Sequence, residues 1–382
     1  MPLEPGGTVQ NAIYLGGGDS WPLAPEEWEA RAREVMAPAA FDYVAGGAGS
    51  ESTGRENVAA FSRRRLRPRM LAGTAERDLS VELLGLRSPV PFLLAPVGVL
   101  SIVHPDAELA VARASAATGV PLVLSSAAST PLEAVSEATG DTPRWFQLYW
   151  LADRHLTASL VGRAEQAGYG AIVVTVDTLM LGWRDRDLRN AYLPFLGGDG
   201  LAQFFSDPVF RAWLDAPPEE DVQSAAIRAL LTFPNLGLTW HDLAWLREQT
   251  TLPILLKGVL TGEDAHLAVE HGVEGIVVSN HGGRQVDGAV AAIDALVEVR
   301  EVVGDGYPLL VDGGVRRGPD VLKALALGAD AVLVGRPYVY GLALGGEAGV
   351  EAVIRRLAAE LDVTMALSGV ASARAVARGL VT

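Results

Sequence analysis

Three uninterrupted apolar runs close the last third of the chain, and each ends in polar, reactive residues. Residues 276–288 read IVVSNHGGRQVDG, residues 309–318 read LLVDGGVRRG and residues 331–337 read AVLVGRP. Aliphatic and β-branched runs without alternation suit strands buried on both faces. Residues 319–328 lie between the second and third runs and carry helical spacing, with a proline near the start and Gly328 at the end. The same beat extends back to residue 91. Apolar runs fall at 91–98, 121–126, 145–149, 171–177 and 253–258, and helical spacing is predicted over 106–118, 131–139, 153–167 and 263–271. Eight strand–helix units are the count of a (β/α)8 TIM barrel, an α/β fold with reactive residues at the C-terminal strand ends. A doubly wound open sheet is the alternative.

The pattern differs before the barrel and once within it. Residues 1–20 are glycine-rich and weakly patterned, which reads as a mobile arm or a strap onto a neighbouring subunit. Residues 25–36 predict a helix with acidic residues in its first turn. The segment FDYVAGGAG at 41–49 sets Tyr43 beside a glycine turn, where it either packs or meets a ligand. The expected organisation is an N-terminal arm and helical extension over 1–90, packed on a barrel spanning 91–382. The beat breaks after strand four with a long insertion at about 179–239; a helix is predicted over 240–248. So long an excursion is either a lid or a surface loop and subunit contact.

Composition narrows the functional classes. Lys plus Arg number 31 against 46 Asp plus Glu, a net charge of −15, which argues against nucleic acid or an anionic membrane as the main partner. Cys is 0, so there is no disulfide, thiolate metal site or thiol nucleophile. The first residues show neither a basic nor an apolar signal region, and no apolar run reaches bilayer-spanning length. A cytoplasmic protein without a membrane partner is expected.

Predicted strand ends carry Ser125, Gln147, Tyr149, Thr175, Asp177, Lys257, Ser279, His281, Arg284, Asp312, Arg316 and Arg336. In a barrel they face one cavity. The glycines at 313–314 with Arg316, and Gly335 with Arg336, end the last two strands, where barrels seat phosphate on backbone N–H groups and a cation. Read singly, these are two ordinary tight turns. His281 is the natural base, because imidazole exchanges a proton near neutral pH. Arg284 suits a carboxylate, Asp177 is placed to orient His281, and Lys257 to offset negative charge on a cofactor. No metal-binding spacing and no GxGxxG or GxSxG motif is present where chemistry would need one.

The motifs SNHGGRQ at 279–285, DGGVRRG at 312–318, KALALG at 323–328 and GRP at 335–337 resemble the FMN-dependent 2-hydroxy acid oxidase and dehydrogenase family, from about Trp28 onward. That resemblance implies FMN as cofactor and oxidation of an (S)-2-hydroxy acid, lactate- or mandelate-like, by oxygen to a 2-oxo acid and hydrogen peroxide. It implies His281 as base with Asp177 as its partner, and Tyr149 near the substrate hydroxyl. Arg284, Tyr43 and Arg184 hold the carboxylate, and Lys257 lies beside the flavin. Cofactor contacts carry over to Val97, Gly98, Val99, Ser125, Gln147, Thr175, Lys257, Ser279, Asp312, Gly313, Gly314, Arg316, Gly335 and Arg336. It also implies a homotetramer or homo-octamer.

Several stretches, among them GWRDRDL at 182–188 and GLALGG at 341–346, resemble the lactate 2-monooxygenase branch, whose outcome is oxidative decarboxylation to a carboxylic acid, CO2 and water. Ala127 stands where glycolate oxidase has tryptophan, which leaves the substrate's size open. A redox-neutral barrel isomerase that holds a substrate phosphate, and a flavin-binding protein without turnover, are the other classes.

Overall fold

The computed structural model describes residues 3–17 and 19–382. Eight parallel strands close into a barrel: β1 (Phe92–Leu94), β2 (Leu122–Ser125), β3 (Arg144–Tyr149), β4 (Ile172–Thr175), β5 (Ile254–Val259), β6 (Gly275–Val278), β7 (Leu309–Val311) and β8 (Ala331–Val334). β8 closes the ring on β1 through Val332↔Phe92 and Leu333↔Leu93, so the open-sheet alternative does not hold. The fold is a TIM barrel, with helices flanking the strands.

The unalternating apolar runs follow from this architecture. Successive side chains on a strand point to opposite faces, and both faces of a barrel strand are buried. Phe92 and Leu94 join the outer core beneath the helices, while Leu93 joins a separate inner cluster. That inner cluster contains one or more residues from every strand, among them Val123, Trp145, Val173, Leu255, Val277, Leu310 and Leu333. Truncating Leu255, Leu310 or Leu333 to alanine costs about 2–5 kcal/mol. An antiparallel ribbon, Val81–Leu83 paired with Leu86–Ser88, contributes Leu83 and Leu86 to the same cluster.

Within the segment whose composition suggests an arm, the described residues 6–14 are helical. Residues Gly6–Tyr14 form a helix on this chain's own C-terminal helix, Arg336–Ser368, and the Gly6 amide donates to Asp362 Oδ2 at 2.7 Å. Asp362 is held in turn by Arg77 through two bonds, of 2.6 and 2.8 Å. The C-terminal helix breaks at Gly345 and Gly346. The insertion after β4 holds three short α-helices, a 3-10 turn at Pro194–Gly197 and the longer helix Val222–Leu230. Its Phe233 meets Tyr149 of β3, with ring centroids 5.9 Å apart, so part of the insertion lies over the C-terminal end of the barrel.

Candidate active site

The floor of the site follows from the same two-residue period. Two positions beyond the lumen residue on seven of the strands come Ser125, Gln147, Thr175, Lys257, Ser279, Asp312 and Gly335, a largely polar layer on top of an apolar one; on β1 that position is Ala95. These groups bond to one another. Ser125 Oγ donates to Gln147 Oε1 at 2.9 Å, and Gln147 Nε2 to Thr175 Oγ1 at 2.9 Å. Lys257 Nζ donates to Ser279 Oγ at 3.1 Å, and Ser279 Oγ to Asp312 Oδ1 at 2.6 Å. Asp312 Oδ2 also lies 3.4 Å from Lys257 Nζ. Burial opposes the charge on Lys257, but Asp312 and Asp177 outweigh it and hold its pKa above the ordinary lysine value.

Above this floor is a cavity of about 220 Å3. Val97, Gly98, Val99, Tyr43, Tyr149, Arg184, Lys257, His281 and Arg284 line it, together with Asp312, Gly313, Gly314, Arg316, Gly335 and Arg336. Ser125, Gln147, Thr175, Ser279 and Asp177 lie outside that lining, in the layer that supports it.

His281 sits at a strained corner. Its φ is 58°, an uncommon value for a residue with a side chain, and it opens a run of three left-handed positions with Gly282 and Gly283. Its amide donates to Ser279 Oγ at 2.9 Å, which ties the corner to the floor. Its Nδ1 lies 2.9 Å from Asp177 Oδ1. A carboxylate only accepts, so Nδ1 carries the proton and Nε2 keeps its lone pair. Thr178 Oγ1 donates to the same Asp177 oxygen at 2.8 Å. Burial works against charge on Asp177, yet His281 and Lys257 together lower its pKa. On His281 burial dominates; Asp177 opposes it and Lys257 adds to it, leaving the imidazole below its ordinary value of 6.5. The Tyr149 ring stacks on His281, and burial pushes its phenol up to about 12.

β5 makes room for Asp177 by a bulge at Gly258, where φ is 116°. A Cβ there would stand 2.7 Å from Asp177 Cβ. We expect Gly258→Ala to displace Asp177 and lower kcat at least tenfold while the fold and bound-cofactor content stay at the wild-type level. Unchanged kcat in the purified variant would show that the bulge is not needed to place Asp177.

One wall gathers cations. Arg284 Nη1 donates to the carbonyls of Tyr43 at 2.6 Å and Gly46 at 2.9 Å, and its guanidinium lies 5.0 Å from the centre of the Tyr43 ring. Arg184 approaches the same ring at 6.0 Å. Arg336 spends its donors on the carbonyls of Val44, Gly46 and Gly282. Burial first, and then Arg184, pushes Arg284 down to about 9. A guanidinium does not give up its proton at neutral pH, so Arg284 keeps a buried charge that an anion entering the cavity would stabilise.

The far end fits a phosphate. Gly313 and Gly314 have φ of 91° and 94°, and a Cβ on Gly314 would run into the backbone carbonyl of Asn57. Arg316 is lowered by burial and then by Arg336, and no carboxylate pairs with it among the described residues. The C-terminal helix begins at Arg336, directing its N-terminal amides to the same place. A dianion seat at one end and a buried ammonium in the floor match the two ends of a flavin mononucleotide.

Four supporting residues were not assigned a role from sequence. Gln285 Nε2 donates to the carbonyls of Asp177 at 3.0 Å and Met180 at 2.9 Å, while its Oε1 accepts from Gly182 and Arg184. Asn57 and Asn280 exchange side-chain bonds of 2.7 and 2.8 Å. Asp287 accepts from the amides and hydroxyls of Ser50 and Ser52, tying the loop after His281 to the start of the helix Ser52–Arg63.

The closed barrel, the phosphate seat and the buried ammonium together fit a flavoprotein, with His281 paired to Asp177 in the same cavity. The model of the FMN-dependent dehydrogenase family matches residues 32–382, and the chain belongs to that family; it is an FMN-dependent oxidoreductase. It is 43% identical to an L-lactate oxidase of Lysinibacillus sphaericus over 352 residues, which covers 92% of this chain and 90% of that one. It is 44% identical to glycolate oxidase of Spinacia oleracea over 354 residues, covering 92% and 93% of the two chains. A crystal structure of mandelate oxidase with (S)-4-hydroxymandelic acid superposes with a TM-score of 0.84 at 41% identity, covering 94% of this chain and 98% of that one.

Proposed function

We propose that the protein oxidises (S)-2-hydroxy carboxylates to 2-oxo acids with oxygen as the final acceptor, releasing hydrogen peroxide. The observation that carries this reading is the presence in one cavity of Arg284, which forms no salt bridge among the described residues, and of His281, whose burial favours the neutral imidazole. A 2-hydroxy carboxylate supplies what each lacks: an anion for one and an acidic proton for the other. The relatives named above support the substrate class.

Arg284 grips the carboxylate, with Tyr43 and Arg184 beside it, and this fixes the hydroxyl-bearing carbon near His281. His281 Nε2 takes a proton, and Asp177 stabilises the imidazolium through Nδ1. FMN held in this cavity would supply the two-electron redox chemistry that links the hydroxy acid to oxygen. Lys257 places a fixed positive charge in the floor, where negative charge develops. Arg316, Gly313, Gly314 and the N-terminus at Arg336 would hold the phosphate. The balance is two electrons and two protons removed from the alcohol, giving the oxo acid, and both delivered to oxygen, giving peroxide. Replacing Lys257 with methionine should lower the midpoint potential of bound FMN by roughly 30 mV or more at unchanged flavin content. An unaltered potential would remove the electrostatic role.

A second outcome is oxidative decarboxylation of a retained oxo acid. The aromatic cover favours it: Phe195 and Phe233 of the insertion line the cavity and pack on one another at 5.8 Å, which restricts escape. The deciding test is aerobic turnover of L-lactate and L-mandelate, quantifying oxo acid, carbon dioxide and peroxide together with peroxide controls. Oxo acid with equal peroxide supports the oxidase; acid and CO2 with little peroxide support retention. No turnover of any 2-hydroxy acid by the yellow protein would reject both. Exposed Trp183, Leu231 and Leu236 on the insertion support assembly into a homo-oligomer, which sedimentation measures. No helix among the described residues is long and apolar enough to cross a membrane.

A further inference from the structure

The residue after Asp177 closes a small set of bonds behind the base. Thr178 lies in the loop that follows β4 and lines the cavity, half-buried. Its Oγ1 donates to Asp177 Oδ1 at 2.8 Å and stands 3.1 Å from His281 Nδ1, which is itself 2.9 Å from the same Oδ1. The three atoms form a triangle. A hydroxyl has a single proton to give. Thr178 spends it on the carboxylate, so it turns a lone pair toward Nδ1, and the Nδ1 proton is shared between Oδ1 and Oγ1.

The other carboxylate oxygen takes no part. Asp177 Oδ2 is buried with no hydrogen-bond partner among the described residues. Thr178 and His281 therefore compete for one oxygen. A hydrogen bond donated to a carboxylate favours its charged form and weakens its pull on any second proton. The imidazolium that forms when His281 takes a proton draws on that oxygen for support, and Thr178 removes part of it. In exchange Thr178 offers Nδ1 a neutral acceptor, but charge-assisted bonds are about twice as strong as neutral ones. The net effect is a lower affinity of His281 for a proton.

Asp177 does not depend on Thr178 for its place. Gln285 Nε2 holds the Asp177 carbonyl at 3.0 Å, and Gly258 packs against its side chain. The charged and titratable groups facing the imidazole are Asp177, Lys257 of β5, Tyr149 of β3 and Arg184 of the insertion, with Arg284 and Tyr43 in the same cavity. Of these, the Thr178 hydroxyl bonds to Asp177 alone. Removing it acts on the His281–Asp177 pair and leaves the other charges in position.

We propose that Thr178 is a positioning residue that tunes the base: its hydroxyl draws Asp177 Oδ1 away from His281 and so keeps the imidazole unprotonated and open to the substrate's proton at neutral pH. This deepens the reaction assigned above and rests on His281 as its base.

The test is an NMR titration of the FMN-loaded protein carrying isotope-labelled histidine, without substrate. With 6 histidines in the chain the spectrum is sparse, and the His281 signal is the one missing from His281→Ala. Thr178→Val keeps the shape and loses the hydroxyl; it should raise the His281 midpoint by about half a pH unit or more, and Thr178→Ser should restore the wild-type value. The acid limb of anaerobic flavin reduction should move upward by the same amount, about a threefold change in proton affinity. A merely structural loss would lower the rate at every pH and leave the midpoint in place. The proposal is overturned if the Thr178→Val midpoint equals or falls below that of wild type, if Thr178→Ser rises as far as Thr178→Val, or if the midpoint rises while the acid limb stays. A wild-type flavin that no 2-hydroxy acid reduces would instead reject the reaction, and the NMR midpoints would still decide the part played by Thr178.

Discussion

Replacing His281 with alanine is expected to leave a yellow, FMN-loaded protein whose flavin is scarcely reduced by substrate. Anaerobic reduction should slow by about 10²- to 10⁴-fold, the usual contribution of a positioned general base. The side chain sits on a left-handed backbone corner anchored to Ser279, and its Nδ1 is committed to Asp177, so Nε2 is the nitrogen aimed for work. Losing the imidazole removes the acceptor without disturbing Arg316 and Arg336, the cations proposed to seat FMN at the other end of the cavity. Flavin content is therefore the internal control. Reduction within tenfold of wild type would remove His281 from the base role.

The same residue sets a pH dependence whose sign is fixed. A base works only when unprotonated, so the reduction rate falls as pH falls through its pKa. Burial, with Lys257 adding to it, lowers that pKa below 6.5 despite the opposing carboxylate of Asp177. The acid limb of the reduction rate should consequently be centred below 6.5 and be absent from His281→Ala. A limb centred above 6.5 in wild type would mean that Asp177 outweighs burial.

Much of this was legible in the sequence, for a physical reason. A barrel strand is buried on both faces, which produces runs without alternation, and the two-residue period places the next inward residue of each run at the site. Ser125, Gln147, Thr175, Lys257, Ser279 and Asp312 could thus be picked out as strand-end polar residues. Their mutual bonding could not: each bond joins neighbouring strands whose register only the closed barrel defines. Gln285, Asn57 and Asp287 escaped for the same reason, since their partners lie about 100 or more residues away. The helix Gly6–Tyr14 escaped because its Gly-Gly start carries poor helix propensity; its seat is a tertiary contact with Asp362.

Arg284 carries the second large effect. Changing it to lysine keeps a charge but loses the planar fork, and the ammonium cannot serve a carboxylate and two carbonyls in the same geometry. Truncating one partner of a buried charge pair costs about 2–5 kcal/mol. At about 1.36 kcal/mol per decade, kcat/KM for a 2-hydroxy carboxylate should fall about 30- to 5,000-fold. Rate loss alone would not separate binding from general damage, because Arg284 also holds the carbonyls of Tyr43 and Gly46. The discriminating measurement is the preference for a 2-hydroxy acid over its neutral amide. Wild type should favour the acid strongly, because only an anion satisfies a guanidinium crowded by Arg184 and Arg336. Arg284→Lys should erase most of that preference, since the amide never drew on the ion pair. If the variant keeps the wild-type ratio, the carboxylate is held elsewhere on the cationic wall, and Arg184 becomes the residue to replace.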